Sequence, residues 1–281
     1  MTPPAAVTQS GFGADTASSR NVARNDAPSG RPVLSTGKEG HSAMELTVVV
    51  PTFNESLNVA ELIRQLADST GDLECEIVFV DDSTDDTPDV IRSLADGAVL
   101  PVRVIHREVG VGGLGGAVVE GFRAAEAHIC VVMDGDLQHP PQDVPKLVER
   151  FRAGGADVVV ASRYTGAGTA DGLSGAVRSL VSRASTVVAK VLFPRRLRQC
   201  SDPMTGFFLV DTRQIDLHTL HPRGFKILLE ILVRQPLRIA EIPFHFAERH
   251  AGESKASFWQ GVQFLTQLAA LRFRRTKSSR I

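Results

Sequence analysis

Residues 131–141, which read VVMDGDLQHPP, have the residue types and spacing of a metal site. Asp134 and Asp136 are separated by one residue, so in an extended segment their carboxylates point the same way. Gly135 lets a ligand approach the backbone closely, and Gln138 adds an amide oxygen. Oxygen ligands suit a hard cation such as Mg²⁺ or Mn²⁺, which here would neutralise a diphosphate. A solvated acidic turn at a strand end is the plainer alternative.

The elements that must position these carboxylates alternate between strands and helices. Short apolar runs predict strands at Leu46–Val50, Glu76–Val80, Val102–His106, Ile129–Met133 and Asp157–Ala161. Helical patterns lie between them, at Thr84–Leu94, Gly116–Ala127, Val144–Ala153 and after Asn54 or Ser56, either of which could cap a helix. This alternation predicts an α/β fold with a mostly parallel sheet and helices on both faces.

The predicted sheet also places a second acidic pair, Asp81 and Asp82, at a strand end. Ligands of open parallel sheets bind beyond the carboxyl ends of the strands. We therefore expect both acidic motifs to line a shared cleft.

Beyond Arg163 the alternation stops. The pattern predicts a helix at Leu173–Phe193, a strand at Gly206–Val210, a helix at Phe225–Val233 and, because of Pro243, an edge strand at Ile239–Phe246. Lys226 and Glu230 are four residues apart, which favours a helical ion pair over a catalytic role. The last helix, Phe258–Leu271, carries Phe258, Val262, Leu265, Leu268 and Ala269 on one face and precedes a basic cluster. Such a segment fits an anionic membrane surface or an ordinary solvated end.

Composition narrows the possible functions. The chain has 281 residues and a formal net charge of −1, so nothing favours a nucleic-acid partner. Residues 1–43 are rich in small and polar residues without a hydrophobic period, which predicts a disordered tail without a secretory signal. Three dispersed cysteines predict reduced thiols in the cytoplasm, and no apolar run of 18 residues suggests a membrane span.

The glycine-rich segment 110–115 matches the G-x-G-x-x-G pattern of dinucleotide sites. It follows the third strand rather than the first, and Asp134, at the distance expected of a ribose ligand, is better explained by the metal motif. We therefore predict a loop near the cleft instead of a dinucleotide cofactor.

Eight motifs together resemble family 2 glycosyltransferases, and most closely the polyprenyl-phosphate sugar synthases of the dolichyl-phosphate mannose synthase type. They occur in order between Glu45 and Lys255: PTFNE (51–55), VDDST (80–84), GLGGA (113–117), MDGDLQHPP (133–141), ASRY (161–164), SDPMTGFF (201–208), GFKILLE (224–230) and RHAGESK (249–255). Phe53 stands where tyrosine is commoner, and Gly135 where alanine is frequent.

The resemblance implies a GT-A fold over residues 44–256, a Rossmann-like domain that binds a nucleotide sugar, followed by a membrane-proximal segment at 257–281. It implies metal ligands at Asp134, Asp136 and Gln138, and catalytic roles for Asp136, Arg163 and Arg249. It places the donor against Pro51, Phe53, Glu55, Asp82, Asp134, Gly135 and Lys255, with Asp82 reading the base. Arg163 and Arg178 would hold the acceptor phosphate. Glu55 could instead be only a first-turn acid, and Arg178 only part of a solvated helix face; His139 has no assigned role.

The implied reaction is an inverting, metal-dependent transfer from a nucleotide sugar, most simply GDP-mannose, to a polyprenyl phosphate. UDP-glucose or a UDP-amino sugar is the alternative donor, and a catalytically silent nucleotide-sugar-binding or scaffold protein is the alternative class. The family often carries membrane helices after this domain, so we expect a peripheral protein on the cytoplasmic membrane face, with an anchor supplied by a partner or a further segment.

Overall fold

The computed structural model describes residues 44–169, 176–222, 225–247 and 258–273, with backbone alone for 176–183, 258–263 and 265. The strands are β1 (Leu46–Thr52), β2 (Cys75–Asp81), β3 (Val102–His106), β4 (Ile129–Val132), β5 (Val158–Ser162), β6 (Phe208–Asp211) and β7 (Ile239–Pro243). The helices are α1 (Ser56–Thr70), α2 (Thr87–Ala95), α3 (Gly113–Ala124), α4 (Val144–Arg152), α5 (Ala176–Leu192), α6 (Pro194–Leu197), α7 (Ile227–Arg234) and α8 (Phe258–Phe273). Short 3₁₀ turns occupy Pro141–Asp143, Thr212–Gln214 and Leu217–Thr219.

The seven strands form one sheet in the order β3-β2-β1-β4-β6-β5-β7. Every neighbouring pair is parallel except the two that involve β6, which runs antiparallel to β4 and β5. The predicted mostly parallel sheet is confirmed, and β7 lies at its edge with Pro243 as the last strand residue. Because β6 is reversed, the segment before it, residues 201–207, reaches the same edge as the carboxyl ends of β4 and β5.

The sheet separates two hydrophobic cores, and alternate residues of β1 show this most simply. Val48 and Val50 pack with apolar residues of α1, α2 and α4. Val49 points the other way and packs with residues of α3, α7 and α8. Successive side chains of a strand alternate between faces, so this pattern is the one expected of a buried parallel strand. The predicted helices on both faces are confirmed.

Helix starts differ from the prediction. Glu55 occupies the N-cap position of α1, without a side-chain capping bond. Asn54 does not cap α1, because its Oδ1 accepts a hydrogen bond from the backbone of Thr84 at 2.9 Å and its φ is 54°. Asn54 thus joins the ends of β1 and β2 rather than opening the helix. α2 and α3 begin three residues later and three residues earlier than predicted.

The last helix packs on the second core. Phe264, Leu268 and Leu271 are buried there, and Gln267 Nε2 donates to the carbonyl of Lys226 at 3.0 Å. The sequence left the face that carries Leu268 open to a membrane surface or to solvent, whereas in the structure this residue packs within the domain. None of the helices in the described parts of the chain is long and apolar enough to cross a membrane.

Candidate active site

Asp134 and Asp136 lie in the turn after β4, not in the strand itself. β4 ends at Val132, one residue earlier than predicted, so strand alternation does not orient these carboxylates. The Asp134 side chain is 36% exposed, whereas Asp136 is buried and its Oδ1 accepts from the backbone of Gln138 at 3.1 Å. Leu137, the residue after Asp136, has a φ of 63°, so the chain turns sharply directly after the second carboxylate. Asp134 is thus the more exposed of the two carboxylates, and one oxygen of Asp136 accepts a hydrogen bond within the turn.

His139 holds the backbone of this turn. The Asp134 backbone N–H donates to His139 Nδ1 at 2.9 Å, so the ring carries its proton on Nε2. The imidazole stacks on Phe207 at 5.1 Å and meets the edges of Phe244 and Phe246. Burial lowers its pKa to about 4, despite the opposing charge of Asp136. His139 is therefore a neutral acceptor that fixes Asp134.

The approach of β6 to this turn depends on Gly206. A Cβ at this position would lie 3.1 Å from Asp134 Oδ1 and 3.2 Å from His139 Cε1. Both distances are tighter than ordinary van der Waals contact, so a larger residue here would have to displace the Asp134 carboxylate or the His139 ring. The glycine in SDPMTGFF thus lets the reversed strand bring its leading segment against the acidic turn.

Arg163 follows β5 and forms a buried ion pair with Asp202 from that leading segment. Its Nε and Nη2 donate to the two carboxylate oxygens at 2.7 and 2.9 Å. Burial alone would lower the pKa of the guanidinium, but the hydrogen bonds and charge of Asp202 raise it overall. The remaining nitrogen, Nη1, makes no hydrogen bond to the described residues. Asp202 thus orients a cation that retains one donor group for an anion.

Lys226 adds a second cation to this cluster. It precedes α7, and its Nζ donates to the carbonyl of Met204 at 2.8 Å and lies 4.5 Å from the centre of the Phe225 ring. The predicted pair with Glu230 is wrong, because Lys226 has a non-helical backbone and Glu230 instead accepts from Arg234 at 2.7 Å. Burial, with the charge of Arg163, lowers the Lys226 pKa to about 8.

A different arrangement stands at the ends of β2 and β3. Asp81 is buried and accepts from Thr52, Ser83 and His106, the His106 Nδ1 contact being 2.7 Å. Asp82 receives Nε and Nη2 of Arg107 at 2.7 and 2.6 Å.

Arg107 also binds the glycine-rich loop, through the carbonyls of Val111 and Gly113. A Cβ at Gly110 would lie 2.7 Å from Asp82 Oδ2, so glycine is required there. The residue that the resemblance assigns to the base is therefore half of an ion pair that ties this loop to the sheet. The sequence signal for Arg107 is that this residue directly follows the predicted strand Val102–His106. The structure pairs His106 with Asp81, which brings the next residues, Arg107 and Asp82, side by side.

The other predicted donor residues gather near the end of β1. Pro51 is buried within the strand, opposite Val80, and Gly135 approaches this strand, since a Cβ there would meet Thr52 Cγ2 at 3.2 Å. Phe53 is 45% exposed. Glu55 Oε2 accepts from Asn58 Nδ2 at 2.6 Å, an interaction within the first turn of α1.

Three predicted residues fall at or beyond the limits of the described structure. Arg249 and Lys255 lie outside the described residues, and Arg178 has a described backbone in α5 without a described side chain. Gln138 is described, and its Nε2 donates to the carbonyl of Ala247 at 3.2 Å. Its amide oxygen remains the atom that the sequence assigns to a cation.

The donor set fits a divalent cation that is bound partly by substrate. Within the described residues, no three His, Cys, Asp or Glu side chains converge on a possible metal position. Mg²⁺ is commonly held by one or two carboxylates, substrate phosphates and water. Asp134 and Asp136, beside the cations Arg163 and Lys226, match that mode of binding.

The sequence of residues 47–210 matches the family "Glycosyl transferase family 2". The chain belongs to glycosyl transferase family 2. Among curated relatives, a dolichol-phosphate mannosyltransferase of Pyrococcus furiosus is 38% identical over 75% of this chain. The chain covers only 59% of that relative's length. Dolichol-phosphate mannosyltransferases of Mycosarcoma maydis and Saccharomyces cerevisiae are 35% and 34% identical, over 85% and 82% of this chain and 83% and 87% of their own.

Solved structures support the family 2 fold. Glucosyl-3-phosphoglycerate synthase from Mycobacterium tuberculosis superposes with a TM-score of 0.58 at 26% identity, covering 81% of this chain and 79% of that one. A structure of the same enzyme with Mn²⁺, uridine diphosphate and glucosyl-3-phosphoglycerate gives 0.58 at 24% identity, covering 81% and 78%. The GT-A fold that the resemblance implied is confirmed.

Proposed function

We propose that this chain transfers a sugar from a nucleoside diphosphate sugar to the phosphate of a polyprenyl monophosphate, with inversion at the sugar carbon and with a bound Mg²⁺ or Mn²⁺. GDP-mannose is the first candidate donor. The observation that carries the proposal is the carboxyl edge at β4 and β5, where Asp134 and Asp136 lie beside the buried pair of Arg163 and Asp202.

The names of the relatives support a polyprenyl phosphate as the acceptor and mannose as the transferred sugar. The curated relatives include three dolichol-phosphate mannosyltransferases and an undecaprenyl-phosphate mannosyltransferase of Micrococcus luteus, 29% identical over 76% of this chain. Dolichol and undecaprenol are both polyprenols, so their shared chemistry is a long isoprenoid chain with a terminal phosphate. That shared chemistry is what we assign to this chain.

The residues suit a phosphate nucleophile. A phosphate monoester has its second pKa at about 6, so it is largely ionised at neutral pH and needs no general base. His139 could not act as one here, because its Nδ1 already accepts from the Asp134 backbone. What the acceptor needs is orientation and charge neutralisation, which an arginine supplies with directed N–H groups. We assign this role to Arg163 through Nη1, together with Arg178.

The leaving group needs its growing negative charge to be stabilised. A departing nucleoside diphosphate gains negative charge, and a divalent cation at Asp134, Asp136 and Gln138 would stabilise it. The two carboxylates would hold the cation, and His139 fixes the backbone of Asp134. Arg249 and Lys255 are proposed to contact the donor diphosphate. Phe53 would stack on the nucleoside, near Pro51, Glu55, Gly135 and the base-reading Asp82.

A UDP-sugar is the second candidate donor. Solved structures of the M. tuberculosis enzyme contain Mn²⁺ together with uridine diphosphate or UDP-glucose. A silent nucleotide-sugar-binding protein is the alternative of a different class. We further propose a peripheral position at the cytoplasmic membrane face, with no nucleic-acid partner.

The test is transfer by the purified chain to a short-chain polyprenyl phosphate, with GDP-mannose, UDP-glucose and UDP-N-acetylglucosamine offered separately. Reactions with Mg²⁺, with Mn²⁺ and with a chelator run in parallel. We expect a glycosylated lipid phosphate from GDP-mannose that chelation abolishes. Product from a UDP-sugar alone would reassign the donor. No transfer and no donor hydrolysis under any condition would favour the silent protein.

A further inference from the structure

The ammonium group of Lys226 has N–H donors that the described residues do not use. Its Nζ donates to one acceptor among them, the carbonyl of Met204 at 2.8 Å, whereas an ammonium carries three donors. The side chain is half-buried, and the centre of the Phe225 ring lies 4.5 Å from Nζ. Taking a cation out of water is costly unless its hydrogen bonds are made. Lys226 can therefore give its remaining donors to a bound anion.

Met204 places this ammonium beside the Arg163 pair. Two residues before Met204, Asp202 accepts Nε and Nη2 of Arg163 at 2.7 and 2.9 Å. Two residues after it, Gly206 packs against the turn that follows β4. Burial and the charge of Arg163 lower the Lys226 pKa, while the charge of Asp202 raises it. Lys226 and Arg163 are thus neighbouring cations that bind the same short segment, residues 201–207.

The two cations are arranged to share one anion. Arg163 Nη1 makes no hydrogen bond to the described residues, and Lys226 adds its own unused N–H groups. Neighbouring like charges disfavour each other, and an anion between them removes that cost. A phosphate monoester carries the opposite charge and several acceptor oxygens, so it can accept from both residues at once.

The backbone of Lys226 is held by the C-terminal helix α8. Gln267 is only 4% exposed, and its Nε2 donates to the Lys226 carbonyl at 3.0 Å. It lies among Phe264, Leu268 and Leu271 of the second core, where an unbonded amide would be costly. Lys226 itself has a non-helical backbone, with a φ of −108° and a ψ of 63°. Gln267 thus fixes a residue whose conformation is not set by a helix.

We propose that Lys226 donates to the phosphate of the lipid acceptor, beside Arg163, and that Gln267 of α8 positions it. This inference rests on the proposed function, which supplies the acceptor. We assign the acceptor phosphate rather than the donor diphosphate, because the proposed divalent cation already neutralises the latter. Residues 47–210, which match the family, include Arg163 but neither Lys226 nor Gln267. The family match therefore gives these two residues no role.

The experiment measures binding of a water-soluble short-chain polyprenyl phosphate to the full chain by calorimetry, with and without a nucleoside diphosphate and Mn²⁺. Lys226→Met removes the ammonium and keeps a flexible side chain. Because a hydrogen bond to a charged group is lost, we expect the Kd for the polyprenyl phosphate to rise at least about tenfold. The Kd for the nucleoside diphosphate should change less than about twofold on the same reasoning.

The control is Lys146→Met, at a lysine of α4 whose side chain is 63% exposed. It should change neither Kd. An unchanged Kd for the polyprenyl phosphate in Lys226→Met would overturn the proposal. An equal rise in the Kd for the nucleoside diphosphate would overturn the choice of the acceptor as the source of the phosphate.

The pH profile of kcat/KM for the acceptor distinguishes a bound ammonium from a merely structural lysine. The Lys226 pKa is about 8, and the charged groups that act on it are Arg163, Asp202 and Asp134, while Gln267 is neutral. Carboxylates and guanidinium groups ordinarily titrate far from this pH, and the acceptor phosphate has its second pKa at about 6. We therefore expect kcat/KM to fall above about pH 8, where Lys226 loses its charge. The same fall in Lys226→Met would contradict the proposal.

Gln267→Leu tests the positioning by α8. Loss of one neutral hydrogen bond should raise the Kd for the polyprenyl phosphate about threefold and leave that for the nucleoside diphosphate unchanged. Gln235→Leu is the control, because Gln235 is also buried and its Nε2 donates to Asp216 and Thr219 at the opposite end of α7 from Lys226. It should lower the Tm without changing the Kd. Equal changes in Kd for both variants would contradict the positioning role.

Failure of this inference and failure of the proposed function give different results. A chain that binds the polyprenyl phosphate through Lys226 but transfers no sugar would refute the proposed function and retain the phosphate site. A chain that transfers sugar with the same acceptor KM in Lys226→Met as in the unmodified protein would refute the role of Lys226 alone.

Discussion

Two parts of the same sheet edge differ in how their charged side chains are paired. At the ends of β2 and β3, Asp82 and Arg107 neutralise each other in a two-pronged pair that also ties down a loop. At the ends of β4 and β5, Arg163 is paired with Asp202, while Asp134 remains partly exposed beside it. In the first region the opposite charges are paired with each other, whereas the second region presents a partly exposed carboxylate. We therefore assign the nucleoside to the β2–β3 edge and the metal and phosphates to the β4–β5 edge.

The largest effect is expected from Asp136, and normal activity without its charge would contradict the assignment of the metal to the β4–β5 edge. Asp136→Asn keeps the size of the side chain but removes a charge proposed to hold the cation. Metal stabilisation of a leaving group is worth several kcal/mol, so a loss of about 4 kcal/mol, roughly 1,000-fold in turnover, is expected. Initial rates of transfer measure this, and thermal unfolding confirms the fold. Asp89→Asn, a side chain that is 78% exposed, is the control; near-normal turnover in Asp136→Asn would remove the metal assignment.

The support of the turn by His139 predicts a pH dependence of stability. Folding lowers the His139 pKa from 6.5 to about 4, so between these values the unfolded chain binds a proton that the folded chain does not. The free energy of unfolding should therefore fall as pH falls through this window, by about 3 kcal/mol from this residue. Denaturant unfolding at several pH values measures it.

His139→Gln keeps an acceptor for the Asp134 N–H but does not titrate. The stability advantage of the unmodified chain over this variant should shrink by that amount between pH 6.5 and 4. His218→Gln, which changes an exposed histidine, is the matched control. A pH-independent difference for His139→Gln would show that His139 is not the neutral buried acceptor described.

The β2–β3 edge should control the choice of base. Asp82→Asn removes the nearer of the two carboxylates that pair with Arg107, the other being Glu120 at 3.6 Å, and alters the acceptors offered to a base. Hydrogen bonds to charged groups contribute about 2 kcal/mol, so the ratio of the Kd values for GDP and UDP should move toward one by roughly 30-fold. Calorimetric titration of both nucleotides gives the ratio, in which any loss of stability cancels. An unchanged ratio would move base recognition away from Asp82.

The smallest predicted effect concerns the acceptor. Arg163→Lys keeps the positive charge but loses the directed N–H donors of the planar guanidinium. The loss of one hydrogen bond of about 1.4 kcal/mol should raise the KM for the polyprenyl phosphate about tenfold. The donor KM should change less than about twofold on the same reasoning. Arg238→Lys is the control, because Arg238 forms a similar fork with Asp157 at the opposite end of β5. Equal changes in both KM values would contradict the acceptor role.

The sequence was sufficient for the architecture because its signals are local. Buried strands such as Leu46–Thr52 appear as continuous apolar runs, and the acidic pairs follow strands directly. The partners of those acids were harder to predict. Asp202 and Gly206 reach the site because β6 is antiparallel, and nothing in a short apolar strand such as Phe208–Asp211 indicates its direction.

Lys226 was misjudged for a related reason. Spacing of four suggested a helical pair, but α7 begins one residue after Lys226, so the two side chains do not share a helix face. His139 also carried no local signal, because its burial depends on Phe207, Phe244 and Phe246 from two other parts of the chain.

One measurement directly tests whether the β2–β3 edge binds the base while the β4–β5 edge binds the metal and the phosphates. The affinity of a nucleoside diphosphate is measured by calorimetry with and without Mn²⁺, in the unmodified chain, in Asp136→Asn and in Asp82→Asn. We expect Asp136→Asn to lose the increase in affinity that the metal gives while keeping the preference between bases. Asp82→Asn should keep the metal-dependent increase and lose the preference. Loss of both properties in each variant would contradict a separate β2–β3 edge for the base and β4–β5 edge for the phosphates.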